Sequence, residues 1–588
     1  MTVSKRAVAL FAAALLLLSA RAEEGDGTPR EFAAAPDGAP SEDDGAVFGA
    51  KPTTIALPER RRRTFFSAVD PELLSLVEDG SPSALKEADA RLRALSERGE
   101  DEDVLLFVAD AVLSLCWKSE GFSAAYPSVP PSNQYVSAIA SARRGSYDRL
   151  SGGTDFLSLV LPSLVLVSSS AAQDDFLPDA RAALEKAREL RPGSVLLRYL
   201  LGILFLRLDD FPSAERSLSA AHEACAGSSY EIGFALARSL FGNGKYADAY
   251  SVAKGLSGRA STPLDLLMLC AESSFRAGDM DGCESFVARV LQREPENTAY
   301  ILFRAKVLVM KGEYVRASSL LDAYARTDTE AKDYLLLRAT IQREWNKNAR
   351  LAEDTIQDAL SRYADDADVL LLAAEIASDS GRSVGGLTAG ELSALVLAQN
   401  PASVPALKIQ VRELMRREEW IRAYAESSRA VRLSPDDDEL LFMHITVCLS
   451  AGKKDEAWER ASRLYQERGG DEGAARSYVE VLVATGRASE AARVIAALLP
   501  GSSQKLRSFL YYQKSFLSSG EENVMADLRS SLTANPRNRD ALFRLYQLYF
   551  NKKEYRKAQY YLKQVVAISP DDEKIRALDE RLRELLSK

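Results

Sequence analysis

Few side chains in this sequence could carry chemistry. Among 588 residues there are two histidines, His222 and His444, and five cysteines. A metal site or a nucleophile–base pair needs several such groups held together at a defined spacing. The two histidines fall in different parts of the chain, and we expect no cysteine at ligand spacing from either. We therefore predict no metal site, and we interpret His444 as a helix histidine satisfied within the packing.

Three further patterns lack parts of the sites that they resemble. Residues 242–245 (GNGK) are too short for a phosphate-binding loop. Residues 279–282 (DMDG) open like a calcium loop, but Cys283 takes a ligand position and no glutamate follows at the twelfth. Cys270 and Cys283 are expected on facing helices, either as a disulfide or as two small buried residues. We predict no catalytic residue and no cofactor, and we expect that the chain is not an enzyme.

The charge balance argues against a nucleic-acid partner. The chain has 75 basic and 84 acidic residues, a net charge of −9, and a binder of nucleic acid needs a basic face that neutralises phosphates. Apolar residues make up 46% and charged residues 27% of the chain, which is ordinary for a soluble protein. No nucleic acid is expected among the partners.

A 34-residue repeat organises the chain. Residues 264–297 contain a small residue at the eighth position and glycine at the fifteenth, Ala271 and Gly278, and the next 34 residues repeat both as Ala305 and Gly312. Small residues at positions eight and twenty allow two helices to approach each other. Glycine at fifteen suits a left-handed turn, and proline at thirty-two ends the second helix. This periodicity is typical of stacked helix pairs.

These positions resemble the tetratricopeptide repeat (TPR), whose pattern also has tyrosine at seventeen and alanine at twenty and twenty-seven. The resemblance covers roughly residues 161–570 and is closest at 195–228 and 298–331. It is weakest over residues 332–403, where residues 378–390 are interpreted as an extended loop. The resemblance implies a right-handed superhelix whose first helices line a concave groove, and a role in holding protein partners.

We therefore predict an all-α fold, an α-α superhelix (solenoid) of about twelve helix-turn-helix repeats. The expected parts are a signal peptide (1–22), a disordered linker (23–63), a degenerate helical N-terminal region that acts as a cap (64–160), the repeat array (161–570) and a C-terminal capping helix (571–588).

The first 22 residues have the layout of a secretory signal peptide. A basic start is followed by an apolar run over residues 7–18 and by an A-x-A cleavage site that ends at Ala22. This predicts an exported protein of the bacterial type, in the periplasm where a cell has two membranes. The alternative is an uncleaved anchor in the inner membrane, although the run is shorter than the ~20 residues of a spanning helix.

Four consecutive arginines follow the predicted linker, namely Arg60, Arg61, Arg62 and Arg63. One interpretation is a solvated charge run before the first helix. The alternative is a peripheral contact with anionic membrane lipid, which attracts clustered basic side chains.

The resemblance also implies where a partner would bind, because groove positions such as five and twelve can be carried over to this sequence. At both ends of the array these positions are apolar or aromatic. The residues concerned are Tyr199, Phe234, Phe241, Met268, Phe275, Phe442, Phe509, Phe516, Phe543 and Phe550. Such a groove suits an extended or helical apolar peptide. The alternative is that these side chains pack on their own or the neighbouring helix.

One repeat differs, because Lys408, Arg412 and Arg416 share a helix face at intervals of four residues. An anionic group of a partner is one ligand for this face, and a solvated basic face is the other interpretation.

The first hypothesis for function is a non-catalytic protein–protein interaction scaffold of the cell envelope that binds a protein or peptide partner in its groove. Two alternatives remain. One is a membrane-tethered regulator that keeps its N-terminal segment. The other is an envelope enzyme with its site in residues 70–170 or in the loop at 378–390.

Overall fold

The computed structural model describes residues 66, 68–119, 129–150, 153–168, 174–258, 262–570 and 572–587. The predicted signal peptide, linker and arginine run lie outside the described residues. Within them, every named element is helical, and the β-type pairing is a single isolated bridge between Val384 and Leu387. The all-α prediction is confirmed. None of the described helices is long and apolar enough to cross a membrane.

The N-terminal region is helical but irregular. Its helices are α1 (Pro71–Asp79), α2 (Pro82–Ala94), α3 (Glu100–Leu115), α4 (Gln134–Arg143), α5 (Phe156–Val160), α6 (Val165–Ser168) and α7 (Leu177–Leu190). A short 3-10 helix, Leu161–Leu164, separates α5 from α6, at the point where the sequence pattern places the start of the array. Pro162 explains the interruption, because its ring would clash with the carbonyl four residues earlier in a continuous α-helix.

From Val195 onward, first and second helices alternate regularly. The first helices are α8 (Val195–Arg207), α10 (Tyr230–Gly242), α12 (Leu264–Arg276), α14 (Thr298–Met310), α16 (Lys332–Glu344), α18 (Ala367–Ser380), α20 (Val404–Arg416), α22 (Asp438–Ser450), α24 (Glu472–Ala484), α26 (Gln504–Lys514) and α28 (Arg539–Asn551). The second helices are α9 (Phe211–Ala224), α11 (Tyr246–Leu256), α13 (Met280–Arg293), α15 (Tyr314–Tyr324), α17 (Ala349–Arg362), α19 (Ala389–Gln399), α21 (Trp420–Leu433), α23 (Lys454–Glu467), α25 (Ala488–Leu498), α27 (Glu521–Ala534) and α29 (Tyr555–Ile568). Helix α30 (Glu573–Ser587) follows the last pair.

The small residues of the repeat are buried as the pattern predicts. Position twenty is fully inaccessible in Ala214, Ala249, Cys283, Ala317, Ala423, Ala457, Ala491 and Ala558. At position eight of the first regular repeat, a Cβ added to Gly202 would lie 2.3 Å from Leu218 Cγ. The close approach of paired helices therefore depends on the size of these side chains.

In most repeats the turn after the first helix uses a left-handed residue at position fifteen. Gly278 and Gly486 have φ of 83° and 77° there. In three repeats that lack this glycine, Asp209, Glu418 and Lys553 adopt the same conformation, with φ of 54°, 59° and 63°. The turn geometry is imposed by the packed helices even where the residue type disfavours it.

The weakest part of the pattern, residues 332–403, forms two ordinary helix pairs, α16 with α17 and α18 with α19. The extra residues form a loop at 381–388, which is shorter than the predicted 378–390. Helix α18 continues to Ser380 and ends at Gly381 with φ of 69°, and Thr388 with Glu391 forms a capping box that begins α19.

The chain divides into two compact units, one ending at Gly312 and the other beginning at Glu313. In the first unit a continuous core joins the N-terminal helices to the first repeats, from Phe66 to Ala249. The Trp117 indole Nε1 donates to the Gly80 carbonyl at 3.0 Å within this core. The irregular N-terminal helices therefore share their core with the first repeats.

Within each unit the first helices form a common face. Consecutive first helices touch, as α8 with α10 and α10 with α12 in the first unit, and α22 with α24 and α24 with α26 in the second. Consecutive second helices of the described chain show no comparable contact. Neighbouring pairs are thus closer on the first-helix side, which makes that side locally concave.

Candidate functional site

Two of the predicted groove residues lie in the core. Tyr199 is 6% exposed, with its ring 4.9 Å from that of Trp117, and Met268 is 3% exposed. Their side chains fill space between helices, so the packing alternative accounts for both positions.

Most of the other predicted aromatic side chains are half-buried against a neighbouring ring. The pairs are Phe234 with Tyr230, Phe241 with Tyr246, Phe275 with Phe303, Phe543 with Tyr546, and Phe550 with Tyr546, with centroids 5.2 to 6.0 Å apart. The Phe442 ring lies against Gly473 of the next first helix. The pairs of Phe241 and Phe275 connect two helices, whereas the other three pairs lie within one helix.

The predicted basic face of α20 is compensated by carboxylates. Lys408 Nζ lies 2.6 Å from Asp437 and 3.0 Å from Glu439, and Arg412 also pairs with Glu439. Arg416 pairs with Glu413 at 2.5 Å. Burial by itself would lower the pKa of Lys408, but its two carboxylate partners outweigh that effect and raise it. The charge that would attract an anion is largely neutralised within the chain.

On the first-helix face of the first unit, Glu272 is accessible but poorly solvated. Burial raises its pKa to about 7, although the Tyr300 hydroxyl donates to its carboxylate at 3.1 Å and Arg276 lies nearby. Arg238 behaves similarly, since its side chain is exposed yet its pKa is lowered by desolvation. Exposure and desolvation coexist because the walls of a concave surface displace water without closing over the group.

The most open aromatic residue of the predicted set is Phe516, which is 48% exposed. The sequence pattern places it on the first helix of its repeat, but α26 ends at Lys514 and Phe516 lies in the turn that follows. The Arg544 guanidinium stacks over its ring at 3.5 Å, and the Tyr512 ring lies 5.2 Å away. A second such pair, Arg476 over Phe509 at 4.7 Å, lies on the neighbouring first helices.

We call this surface the C-terminal patch. Its members are Arg476, Glu480, Phe509, Tyr512, Phe516 and Arg544, carried by α24, by α26 with the turn after it, and by α28. Desolvation raises the pKa of Glu480 and lowers that of Arg544, which indicates a sheltered polar surface.

Arg544 has a donor that the described residues leave unused. Its Nη2 donates to the Ser515 carbonyl at 3.3 Å, whereas its Nη1 is buried and has no hydrogen-bond partner among the described residues. A buried charged donor without an acceptor is costly. Arg544 was missing from the predicted groove because it occupies position six, which is not among the groove positions of the repeat.

A polar cluster around His444 corrects one sequence expectation. Cys448 is four residues after His444, one turn along α22, so the expectation of no cysteine at ligand spacing was wrong. The Cys448 Sγ and the Glu456 Oε1 each lie 3.5 Å from His444 Nε2. Burial, together with Arg460, lowers the pKa of His444, and burial raises the pKa of the Cys448 thiol to about 12. The spacing of His444 and Cys448 would have signalled this cluster, whereas the contribution of Glu456 required the fold.

The other candidate chemical groups are enclosed. Cys270 and Cys283 are buried free thiols whose pKa is raised to about 12 by burial. In residues 70–170, the alternative location for an enzyme site, Asp110 is fully buried and accepts from Arg93 at 3.0 Å. Burial and a hydrogen bond with Asp89 raise the pKa of Asp110 to about 7. Its carboxyl is not accessible to a substrate.

Comparison with known proteins found no matching family model and no matching curated protein. Among solved structures, yeast Tom70 is 12% identical, with 74% of this chain and 96% of that chain covered and a TM-score of 0.34. YrrB, described as a TPR protein with an unusual peptide-binding site, is 15% identical over 39% of this chain and 99% of its own, with a TM-score of 0.22. A tetratricopeptide repeat protein from Parabacteroides merdae is 13% identical over 54% and 98%, with a TM-score of 0.28.

Proposed function

We propose that this chain is an exported, non-catalytic scaffold of the cell envelope that binds a protein or peptide partner on its first-helix face, with the C-terminal patch as a main contact. The proposal rests on Arg544. Its guanidinium is stacked over the 48% exposed ring of Phe516, which places a positive charge and an apolar surface side by side.

The chemistry of the patch favours a peptide-like partner. A guanidinium stacked on an aromatic ring binds a carboxylate or a main-chain carbonyl, while the ring accepts an apolar side chain. Arginine and aromatic residues in partly desolvated surroundings are also typical of residues that dominate binding energy. The alternating polar and apolar groups of the patch match those of a polypeptide better than those of a purely apolar ligand.

Crosslinking in cells tests the location of the partner. A photoreactive phenylalanine analogue at position 516 is expected to capture one defined protein, and Arg544→Gln should abolish that capture. The matched control places the analogue at Ile421, which is 83% exposed on the second helix α21. Capture of the same protein from position 421 but not from 516 would place the interface elsewhere.

Export is part of the proposal and is supported by the signal-peptide pattern of residues 1–22. We expect the purified mature chain to begin after Ala22, which mass spectrometry of the intact protein measures. A chain from the envelope fraction that retains Met1 would favour the membrane-tethered regulator instead.

A further inference from the structure

The cluster of His444, Cys448 and Glu456 brings three different metal-ligand types together. One ligand atom from each residue lies within 4.8 Å of the other two. His444 and Cys448 share one face of α22, and Glu456 lies in the first turn of α23, the second helix of the same pair. The histidine and cysteine are fully buried, while the glutamate is partly exposed.

The hydrogen bonds around His444 allow Nδ1 to carry the ring proton. When the Ser427 hydroxyl donates to the Tyr424 carbonyl, 3.2 Å away, its oxygen can accept from His444 Nδ1 at 2.8 Å. A neutral histidine protonated on Nδ1 has its lone pair on Nε2. Nε2 lies 3.5 Å from both the Cys448 sulfur and the Glu456 Oε1, so in this tautomer its lone pair is available to a metal between them.

We propose that His444 Nε2, Cys448 Sγ and a Glu456 carboxylate oxygen bind one Zn²⁺ ion. Zinc bonds of about 2.0–2.3 Å in a tetrahedron require ligand atoms roughly 3.3–3.8 Å apart. Two of the three ligand–ligand distances, Nε2–Sγ and Nε2–Oε1, are 3.5 Å and match this requirement, and the third, from Sγ to the Glu456 oxygen, is within 4.8 Å, so a small rotation of the partly exposed glutamate is needed to close the site. Water from the exposed side of Glu456 completes the tetrahedron.

The ligand set selects the type of metal. A nitrogen, a sulfur and an oxygen ligand suit zinc, whereas magnesium and calcium prefer oxygen ligands alone. Binding forms Zn–N, Zn–S and Zn–O bonds and releases the thiol proton to solvent. A nucleophilic role for Cys448 fits less well, because its sulfur is buried away from any substrate.

The surrounding residues act as outer partners of the ligands. Ser427 orients His444, and the Tyr424 hydroxyl donates to Glu456 Oε2 at 2.6 Å. Arg460 Nε donates to Oε1 at 2.9 Å, and this oxygen retains a second lone pair for the metal. The positive charge of Arg460 opposes the cation, but the thiolate and the carboxylate neutralise the ion itself.

Titration of the full chain with Co²⁺, a spectroscopic substitute for zinc, tests the site. We expect one equivalent to give thiolate-to-cobalt charge-transfer absorption together with the visible bands of tetrahedral Co²⁺, and Zn²⁺ should bleach both. Cys448→Ser should lose the charge-transfer absorption. The control Cys225→Ser, which removes a thiol three residues after His222, should keep it.

Two further variants keep the test decisive if Cys448→Ser fails to fold. Glu456→Gln alters a partly exposed side chain and should weaken Co²⁺ binding at least ~10-fold, and Ser427→Ala should weaken it about 10- to 100-fold with the charge-transfer absorption retained. The proposal is overturned if one equivalent gives no thiolate absorption, if that absorption persists in Cys448→Ser, or if Glu456→Gln binds Co²⁺ as tightly as the unmodified chain.

Discussion

At the scale of single residues, the left-handed turns show how tertiary packing overrides residue preference. Lys553 has φ of 63° in the turn after α28, a conformation that costs a residue with a Cβ about 1–2 kcal/mol. The glycine-bearing repeats avoid this cost. The repeats with Asp209, Glu418 or Lys553 in this turn therefore contain a local strain that a single substitution can remove.

Lys553→Gly should stabilise the second unit by about 1 kcal/mol, because glycine adopts positive φ readily but loses more entropy on folding. The change is measured as a shift in the denaturation midpoint. Gln547→Gly, at an exposed site inside α28, is the control and should destabilise by about 1 kcal/mol. If both substitutions destabilise the chain to the same extent, Lys553 is not strained by its positive φ.

Glu272 predicts a dependence of stability on pH. Its pKa is about 7 in the folded chain, against an ordinary value of 4.5, because burial disfavours the carboxylate. Between these values the unfolded chain releases its proton first, so this residue makes stability fall as pH rises from 4.5 to about 7. Glu272→Gln should remove that loss, which amounts to on the order of 2–3 kcal/mol.

The measurement compares denaturation of Glu272→Gln and the unmodified chain at acidic and mildly alkaline pH. The variant should be more stable above about pH 7 and nearly equal to the unmodified chain below about pH 4.5. Glu296→Gln, at an exposed turn residue, is the control and should show no such difference. An equal difference at both pH values would show that protonation of Glu272 is not its cause.

At the scale of helices, the repeat pattern predicted the elements well, because helix boundaries depend on local steric features that each repeat encodes. The ends of α12 and α14 and the burial of Ala317 and Ala457 follow from position in the repeat. The pattern failed where proline interrupts a helix near Leu161, and where α26 ends before Phe516. Both outcomes depend on where an α-helix ends, and the small residues and glycines of the repeat pattern do not determine that point.

Ala457→Leu tests the packing role of position twenty. Ala457 is fully buried where α23 meets its neighbours, so three extra heavy atoms should overpack the contact and destabilise the second unit by about 1–3 kcal/mol. Ala492→Leu, on the exposed side of α25, is the matched control and should be near neutral. Chemical denaturation measures both, and a neutral Ala457→Leu would contradict the steric account.

At the scale of the whole molecule, the sequence indicated an array but not its division into two compact units at Gly312 and Glu313. The candidate sites were also hard to predict, because they depend on contacts between repeats. Arg544 over Phe516 joins two repeats, and the His444 cluster receives its outer partners Ser427 and Tyr424 from the preceding repeat. A repeat pattern describes each unit and carries little information about such pairs.

Two compact units predict two unfolding transitions, because stability in a repeat protein is a sum of local terms. Trp117 reports on the first unit and Trp458 on the second. Chains in which three of the four tryptophans are replaced by phenylalanine, so that only Trp117 or only Trp458 remains, should show different fluorescence midpoints in denaturant. Coincident midpoints, with equal dependence on denaturant concentration, would indicate one cooperative unit instead.

The central claim is that a partner binds the first-helix face through the C-terminal patch. Its most direct test is the dissociation constant of the protein captured at position 516, measured with the unmodified chain, with Arg544→Gln and with the control Arg493→Gln on the exposed side of α25. We predict a loss of affinity of roughly 10- to 100-fold for Arg544→Gln, as expected for one charged hydrogen bond, and no change for Arg493→Gln. Equal affinity of Arg544→Gln and the unmodified chain would contradict the claim.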